Sequence, residues 1–519
     1  MGFFNQAISD VFKSDSEGEV KPMPKTAKMR NYSGAAQTRY NYSWLTSSDS
    51  ADSNILGGGN KLLARARDLC RNNPNIRQGQ RSFALNVVGQ GTRFQCQVRK
   101  SRGGKLDKKY NDAIELVWRK WCRYDSCSAN GRDCFSDIET IVAKSLYESG
   151  EIFIRLIKKP FGRSSIPLAL ELLEPEQLDS EYKGATKGKN NEWRLGIEKD
   201  SFARPVRYAF FKRHPGDTPF PVTVGEKRHM FIPADEIIHL FVTDRASQSR
   251  GVSMLAPVLE AMHQLDGYQS ASLIKMRASS ALMAFVQTDS EDGLVGDGEM
   301  YENERVSSME PGKFVYLNSG ESIHVPDLDA PSGEFEAFNK IVLRSLAAGT
   351  GLSYASISKD YSESNYSSSR LSLLEDRDHY KRIQKYLEER FLQPLFDLWL
   401  ELAVLSGNLD LPNYELDPDK YRKIKFLHRG WQHVDPQKEI AAAKEAVKAG
   451  FKTQAQVISE MGSGDIEEFL PARKSELDAA AQLQLVFDTT VTNTLNTPKQ
   501  QSGINIDESD SQTNGKKDT

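Results

Sequence analysis

The sequence predicts an α+β fold, with a mixed domain over residues 61–245 joined to a set of long helices. Three observations carry this expectation. Before residue 245, apolar residues recur with helical spacing in some segments and alternate with polar ones in others. After it, two apolar stripes of helical length flank a short insert rich in Gly, Asp and Pro. Between Ser345 and Glu375 the chain then reads SLAAGTGLSYASISKDYSESNYSSSRLSLLE, a serine- and tyrosine-dense connection between two strongly helical segments.

With 519 residues, the chain is long enough to bury a large core and to hold several domains. Hydrophobic content of 39% and charged content of 27% fall in the globular range. The formal net charge is −3, from 68 basic and 71 acidic residues, which is not the balance of a protein that grips nucleic acid. It is compatible with a conduit, because each phosphate contact adds affinity and hence drag, but it is also the balance of most globular proteins. No apolar run approaches the ~18 residues of a membrane span, so no membrane partner is expected. The N-terminus has an apolar face (Phe3, Phe4, Ile8, Val11, Phe12) but no cationic start and no continuous apolar region, unlike a secretory signal. Gly2 is followed by Gln at position 6, so the myristoylation pattern fails, and a cytoplasmic location in the host cell is expected.

In chain order, residues 1–55 read as a mobile segment: a short amphipathic helix, a Lys/Pro/Ser-rich linker and a polar stretch. From Lys61 the stripe Leu62, Leu63, Ala66, Leu69 predicts a helix, broken at Asn73-Pro74, with Asn75 as cap of the next. Gly89–Gly91 reads as a turn into a strand; the spacing is not that of a dinucleotide-binding loop. Asn111–Tyr124, with Ile114, Val117, Trp118 and Trp121 on one face, and Phe135–Glu148 are predicted helices. Gly150 ends the second, and EIFIRLIKK alternates as a strand. Further strands follow at ALELLEP, WRLGIEKD, RPVRYAFFKRHPGD and the Pro233-containing IPADEIIHLFV.

A long helix follows, with Pro257 in its first turn and a stripe of Val258, Met262, Leu265, Leu273 and Met276, ending near Ser280. At roughly 25 residues it would span on the order of 40 Å. Residues 281–332 carry short strands and turns, and Phe335, Phe338, Ile341, Val342 and Leu346 mark a returning helix. The Gly349-Thr350-Gly351 break ends it. A loop then runs to Ser367–Arg370, where a second long helix starts and carries Leu374, Ile383, Leu387, Phe391, Leu395 and Leu398. Pro394 inside that pattern predicts a kink. Residues 421–432 read as strand and turn. Two helices follow, with Gly450 as a stop and Thr453/Gln456 as a capping box. Past residue 489 the polar composition predicts a disordered tail.

A search for chemistry is negative. Gly184–Asn190 lacks the spacing and the hydroxyl residue of a phosphate-binding P-loop, no two histidines sit at i, i+4, and no nucleophile elbow or kinase set is present. Five cysteines (Cys70, Cys96, Cys122, Cys127, Cys134) argue against a disulfide framework, and C-x4-C-x6-C lacks the paired spacing of a zinc site. No catalytic residue, metal or cofactor is predicted. The small hydroxyl and amide side chains of the connection carry little fixed charge and make and break hydrogen bonds readily. That suits a surface past which a polyanion slides, and equally a surface loop held by local capping bonds.

The run GTGLSYASISKDYSESNYSSSR resembles the loop-and-helix signature of phage portal proteins of the lambda type. So do R-N-N-P followed by NVVGQG, and, in order, ESGEIFIRL, LELLEPEQLDSEY, GIEKDSFARPVRYAFFKRHPGD and IPADEIIHLFVTDRASQSRG, with GW and VDP near the end. The resemblance covers about residues 60–485. It implies the portal fold: an α+β wing (56–250), a long α-helical stem (251–280 and 333–352), a small β-rich clip (281–332), a tunnel loop (353–370), a kinked tunnel helix returning to the wing (371–432) and an α-helical crown (433–488). It also implies a homo-oligomeric ring of twelve subunits at one vertex of the virion capsid, through which double-stranded DNA passes without sequence specificity. The partners it implies are the terminase large subunit, major capsid and scaffold proteins, and head–tail connector or adaptor proteins.

On that reading Lys359, Ser362, Asn365, Tyr366 and Ser367 contact DNA in the channel, and Arg370 either joins them or pairs with an acidic residue. Lys275 and Arg277 line the lower channel or cap the negative end of their helix. Glu291, Asp292 and Asp297 form a docking surface for terminase and connector, or ordinary solvated turns. The alternatives are a metal-dependent DNA-processing enzyme and a purely structural head–tail adaptor.

Overall fold

The computed structural model describes residues 46–101, 104–217, 228–280, 334–362, 365–431, 436–460 and 466–483, with positions 39 and 43 and four short strands between 285 and 324. It divides into two compact units, Met1–Ser50 and Ala51–Thr519. In the first, the Ser47 hydroxyl donates to Asp49 Oδ2 at 2.5 Å.

Helix α1 spans Ala51–Asn72 and α2 spans Pro74–Val87. The first starts ten residues before the predicted Lys61 and runs through Gly57–Gly59, so that residues 51–55 of the segment expected to be mobile are helical, while most of that segment lies outside the described residues. The cause is tertiary. Asp52 is buried, and its carboxylate accepts the Ser249 N–H at 2.8 Å and the Ser249 hydroxyl at 2.5 Å. The cap of α2 is Asn73 rather than Asn75: its Oδ1 accepts the Asn75 and Ile76 N–H groups, and Pro74 takes the first helical position, where no N–H is needed. Strand β1 (Arg93–Cys96), α3 (Lys108–Trp121) and α4 (Phe135–Glu148) follow.

Strands β2 (Glu151–Ile157), β3 (Ala169–Leu173) and β8 (Ile237–Phe241) form an antiparallel sheet in the order β3-β2-β8. A second antiparallel sheet holds β4 (Glu192–Arg194), β5 (Ile197–Lys199), β6 (Pro205–Phe211) and β7 (His229–Pro233) in sequence order. Pro233 ends an edge strand, the position a residue without a ladder N–H tolerates. Alternation in β2 serves two cores. Ile152, Ile154 and Leu156 face the large helical core, whereas Phe153 joins Leu173, Tyr208, Phe210 and Ile232 between the sheets. The large core centres on Trp118, whose ring lies 4.9 Å from Trp121 and Trp399 and 5.2 Å from Phe94.

Helices α5 (Leu259–Ser280) and α6 (Glu334–Thr350) pack antiparallel. Gln269 donates to Asn339, Tyr268 stacks near Phe335 and Phe338, and Gly349 lies against Val258. Pro257 lies two residues ahead of α5 instead of in its first turn. Between the two helices, β9 (Phe285–Thr288) pairs with β12 (Glu321–His324), and β10 (Glu299–Tyr301) pairs with β11 (Glu304–Val306). Beyond α6 come a five-residue helix α7 (Tyr354–Ser358), α8 (Tyr366–Leu387), a π-helical turn over Glu388–Leu392, and α9 (Gln393–Leu405). The break falls where Pro394, in the first turn of α9, offers no N–H to the carbonyl of residue 390 and crowds it. Strand β13 (Ile424–Leu427) pairs with β1, returning the chain to the mixed domain, and α10 (Pro436–Lys448), α11 (Gln454–Glu460) and α12 (Ile466–Gln482) complete it. The Thr453/Gln456 capping box forms, at 2.9 and 3.2 Å.

One buried ion pair joins the two sheets to the start of α5. Arg250 Nε donates to both oxygens of Glu151, at 2.7 and 3.0 Å, and its remaining nitrogens reach Ser180 Oγ, Leu195 O and Pro175 O. Glu151 also accepts the Gly251 N–H at 2.8 Å and lies 3.0 Å from His239 Nε2, while His239 stacks on Phe153 at 4.2 Å. Burial pushes the Glu151 carboxyl up, but the Arg250 guanidinium and the His239 hydrogen bond outweigh it and hold it down at about 2. Gly150, just before it, has φ +80°, and a Cβ there would lie 2.1 Å from the Val252 backbone.

Glu151→Gln is expected to cost about 3–5 kcal/mol in urea unfolding at pH 7, because Arg250 is left buried without its counter-charge. The folded-state pKa of Glu151 lies below the unfolded 4.5, so its contribution is complete above that pH and is lost as pH falls toward 2. The stability difference between parent and variant should therefore hold at pH 7 and shrink between pH 4.5 and 2. A difference that does not change with pH contradicts the pairing.

Candidate functional site at the serine-rich connection

The connection is built on close contact and on one buried carboxylate. Gly349 lets α6 approach the start of α5: a Cβ there would sit 2.5 Å from Val258 Cγ1. Gly351 has φ +69°, the left-handed conformation that ends the helix and turns the chain, beneath the His379 ring. The turned chain is held by Asp376 of α8, which is 4% exposed. Asp376 Oδ1 accepts the Ser353 N–H at 2.8 Å, and Oδ2 accepts the Ser353 and Ser356 hydroxyls at 2.6 and 2.7 Å. Ser353 also caps α7. The segment read from sequence as a loop therefore contains a helix bonded to α8 through Asp376 and packed on α2, with the buried Ile357 lying against Gly79.

Past α7 the chain bends at Lys359, which takes the left-handed conformation (φ 59°) and is exposed. Asp360 gathers the next turn: Tyr354 Oη donates to it at 3.0 Å, and the Ser362 N–H and hydroxyl at 3.0 and 2.6 Å. The two Ser362 bonds, followed by Tyr354, hold the Asp360 carboxyl down at about 2. The Ser362 hydroxyl thus spends its one proton inside the turn and faces outward as an acceptor. Asn365 starts α8 through a reciprocal box with Ser368, at 2.8 and 3.2 Å. Tyr366 opens that helix, its side chain lying outside the described residues, and Ser367 beside it is exposed. Arg370 is half-buried, and its Nη2 lies 4.0 Å from Glu439 of α10.

Lys359, Ser362, Asn365 and Ser367 are each exposed along the ledge of chain that runs from the end of α7 into α8, while Arg370 turns toward α10. Lys275 and Arg277 are exposed near the C-terminal end of α5, about 25 Å along that helix from its contact with Gly349. Glu291, Asp292 and Asp297 lie outside the described residues. Sequence reasoning missed Asp376 and Asp360. In the strings LEDRDH and SKDYSE each reads as one more solvated acid, and only the partners two to twenty-three positions away, Ser362 and Tyr354 for Asp360 and Ser353 and Ser356 for Asp376, make them anchors.

Beyond the connection, all five cysteines are free thiols. Among the described residues, Glu174, Glu176 and His214 bring metal-ligating atoms together, but Arg67 bonds both carboxylates at 3.0 and 2.8 Å and supplies the positive charge there. Also among the described residues, no helix is long and apolar enough to cross a membrane.

These elements are two sheets on a helical core, an antiparallel helix pair and a serine-rich connection that exposes Lys359, Ser362, Asn365 and Ser367. The family model for phage portal proteins of the lambda family matches residues 37–384, and the chain belongs to that family. A probable portal protein of Halomonas phage phiHAP-1 is 28% identical over 426 residues, 81% of each chain. Portal protein B of Escherichia phage lambda is 22% identical over 479 residues, covering 85% of this chain and 87% of that one. Among solved structures, a chain from the neck of an empty GTA particle covers 76% of this chain and 93% of its own, at 15% identity and a TM-score of 0.39.

Asp376→Ala should release α7: loss of buried bonds to a charged acceptor costs about 2–3 kcal/mol. Amide exchange over residues 353–358 should accelerate while that of α4 stays slow. Gly351→Ala, forcing a Cβ onto a left-handed residue, is expected to cost about 1–2 kcal/mol. Unchanged exchange in the Asp376 variant would detach the connection from its anchor.

Proposed function

We propose that copies of this portal protein close into a ring, twelve in number, at one vertex of the capsid, and that DNA enters and leaves through its centre. The observation that carries the reading is apolar surface that the single chain leaves bare. On the outer halves of α5 and α6, Leu273, Ile274 and Ile341 are 57%, 66% and 60% exposed, with Met276 and Phe338 beside them. A soluble chain rarely leaves an antiparallel helix pair so uncovered, and a neighbouring copy would bury it. Family membership over residues 37–384 supports the same conclusion.

In the ring, residues 56–250 are the wing, α5 and α6 the stem, the short strands between them the clip, and α10–α12 the crown. The ledge between α7 and α8 faces the channel. Lys359 supplies an isolated cation. Ser367 and Asn365 offer neutral donors, and Ser362 offers an acceptor, so a duplex is touched without being gripped. Lys275 and Arg277 line the channel nearer the clip. Terminase and connector proteins dock on the clip, where Glu291, Asp292 and Asp297 belong, and capsid and scaffold proteins meet the wing. The role is structural rather than catalytic: the chain guides DNA that a separate motor moves, in the host cytoplasm during assembly and in the virion afterwards.

Negative-stain microscopy of the purified protein should show closed rings with a central hole. Leu273→Glu combined with Ile341→Glu should give single chains with an unchanged circular-dichroism melt, since both positions are exposed in one copy. Deleting Ser362–Ser368 should leave rings intact and lower packaging or retention of DNA at least tenfold. A chain solitary at high concentration, cutting DNA with Mg²⁺, would support the enzyme reading and sink this one.

A further inference from the structure

A cavity of about 400 Å³ opens between α3, α4 and the chain leading into β1. It touches none of α5–α8 and plays no part in the channel reading. One wall is aromatic: the Phe94 and Phe135 rings stand against Trp118 at 5.2 and 5.4 Å, inclined at 69° and 76°. At its base lies Glu139, which is 4% exposed. Its Oε2 accepts the Thr92 N–H at 2.9 Å. The close approach of this turn is deliberate in shape, because a Cβ on Gly91 would meet Ser136 Cβ at 2.8 Å and Glu139 Oε2 at 3.4 Å.

A buried carboxylate normally has a cation against it. Here the ionisation of Glu139 is governed by burial, which raises its pKa to about 7, and by the Thr92 bonds, which oppose the rise. The charged and titratable groups on the surrounding elements are Arg93 on β1, Glu115 and Arg119 on α3, Cys122 after α3, and Cys134 at the cap of α4. Arg119 is turned to Glu115 at 3.5 Å and is 65% exposed, and Arg93 is exposed at the rim. Burial keeps the Cys122 thiol protonated. None of these places a positive charge on Glu139.

We propose that this cavity is a binding site for an organic cation, an ammonium or guanidinium group that sets its charge against Glu139 and its alkyl stem against Phe94, Trp118 and Phe135. Perpendicular rings around a carboxylate favour such a group through cation–π attraction and apolar contact together. Calcium or magnesium would need six or more oxygen ligands, which this wall does not supply, and among the described residues the ligating atoms of Glu139, Cys122 and Cys134 do not come together as a zinc-holding group. Two sources carry the same chemistry: a free polyamine, or a lysine or arginine side chain of a protein bound at this face.

Calorimetric titration of the intact protein with spermidine and, separately, with N-acetyl-argininamide tests the site. At least one probe should bind at one site per chain, about tenfold more tightly at pH 8 than at pH 6, because a carboxyl titrating near 7 must lose its proton first. At pH 7, repeating the titration in buffers of different ionisation enthalpy should reveal release of about half a proton per site, a readout that needs no variant. Glu139→Gln should abolish saturable binding, and Phe94→Ala should weaken it several-fold. Spermidine alone binding identifies a free polyamine; the arginine derivative alone binding identifies a protein side chain. Binding by neither probe at pH 8, binding without proton release, or equal binding in Glu139→Gln overturns the proposal.

Discussion

The Glu151–Arg250 pair sets the frame on which the rest of this chain is hung. A guanidinium and a carboxylate, each about 95% buried, tie the first residue of β2 to the turn that leads into α5. The same guanidinium reaches the loop after β3 and the turn between β4 and β5. Charges so buried are tolerated only with every donor and acceptor matched, and a mismatched arrangement is strongly disfavoured. The pair therefore specifies how two small sheets sit on each other and where the long helix departs. Apolar burial alone would leave that angle loosely determined, because Phe153, Tyr208 and Phe210 could pack in several ways.

From that point outward, the α5–α6 pair trades internal cover for reach. Its inner half is buried with Met262, Leu265 and Leu346, and its outer half carries large apolar side chains in solvent. The serine-rich connection sits at the inner end, and polar atoms order it together with the buried Leu352 and Ile357. Asp376 and Asp360 each collect hydroxyls and N–H groups into a small network. Such networks hold a defined shape while leaving short polar groups exposed at Ser362, Asn365 and Ser367.

Much of the architecture was legible in the order of residues. The face Ile114, Val117, Trp118, Trp121 marked α3, the segment Phe135–Glu148 was read as a helix with the bounds of α4, alternation marked β2, and strands were expected where β3 and β8 lie. Proline chemistry marked the break before α9, although the π-helical form of that break depends on how Phe391 and Leu392 are seated in the core. Family resemblance was likewise readable, because its motifs lie in local strings. The early start of α1 was not. Three consecutive glycines argue against a helix by propensity, and it is Ser249, nearly two hundred residues away, that bonds Asp52.

Local information by itself determined most of the helices and strands, though neither the first turns of α1 nor α7, and showed which connection is unusual in composition. Tertiary structure decided the meaning of individual charges. Asp376, Glu139 and Glu151 look alike in sequence, yet one anchors a turn, one lines an aromatic cavity and one joins two sheets to a helix. The reason is physical: periodicity is a property of neighbouring residues, whereas burial and partnership of a charge depend on groups that only the folded chain brings within 3 Å.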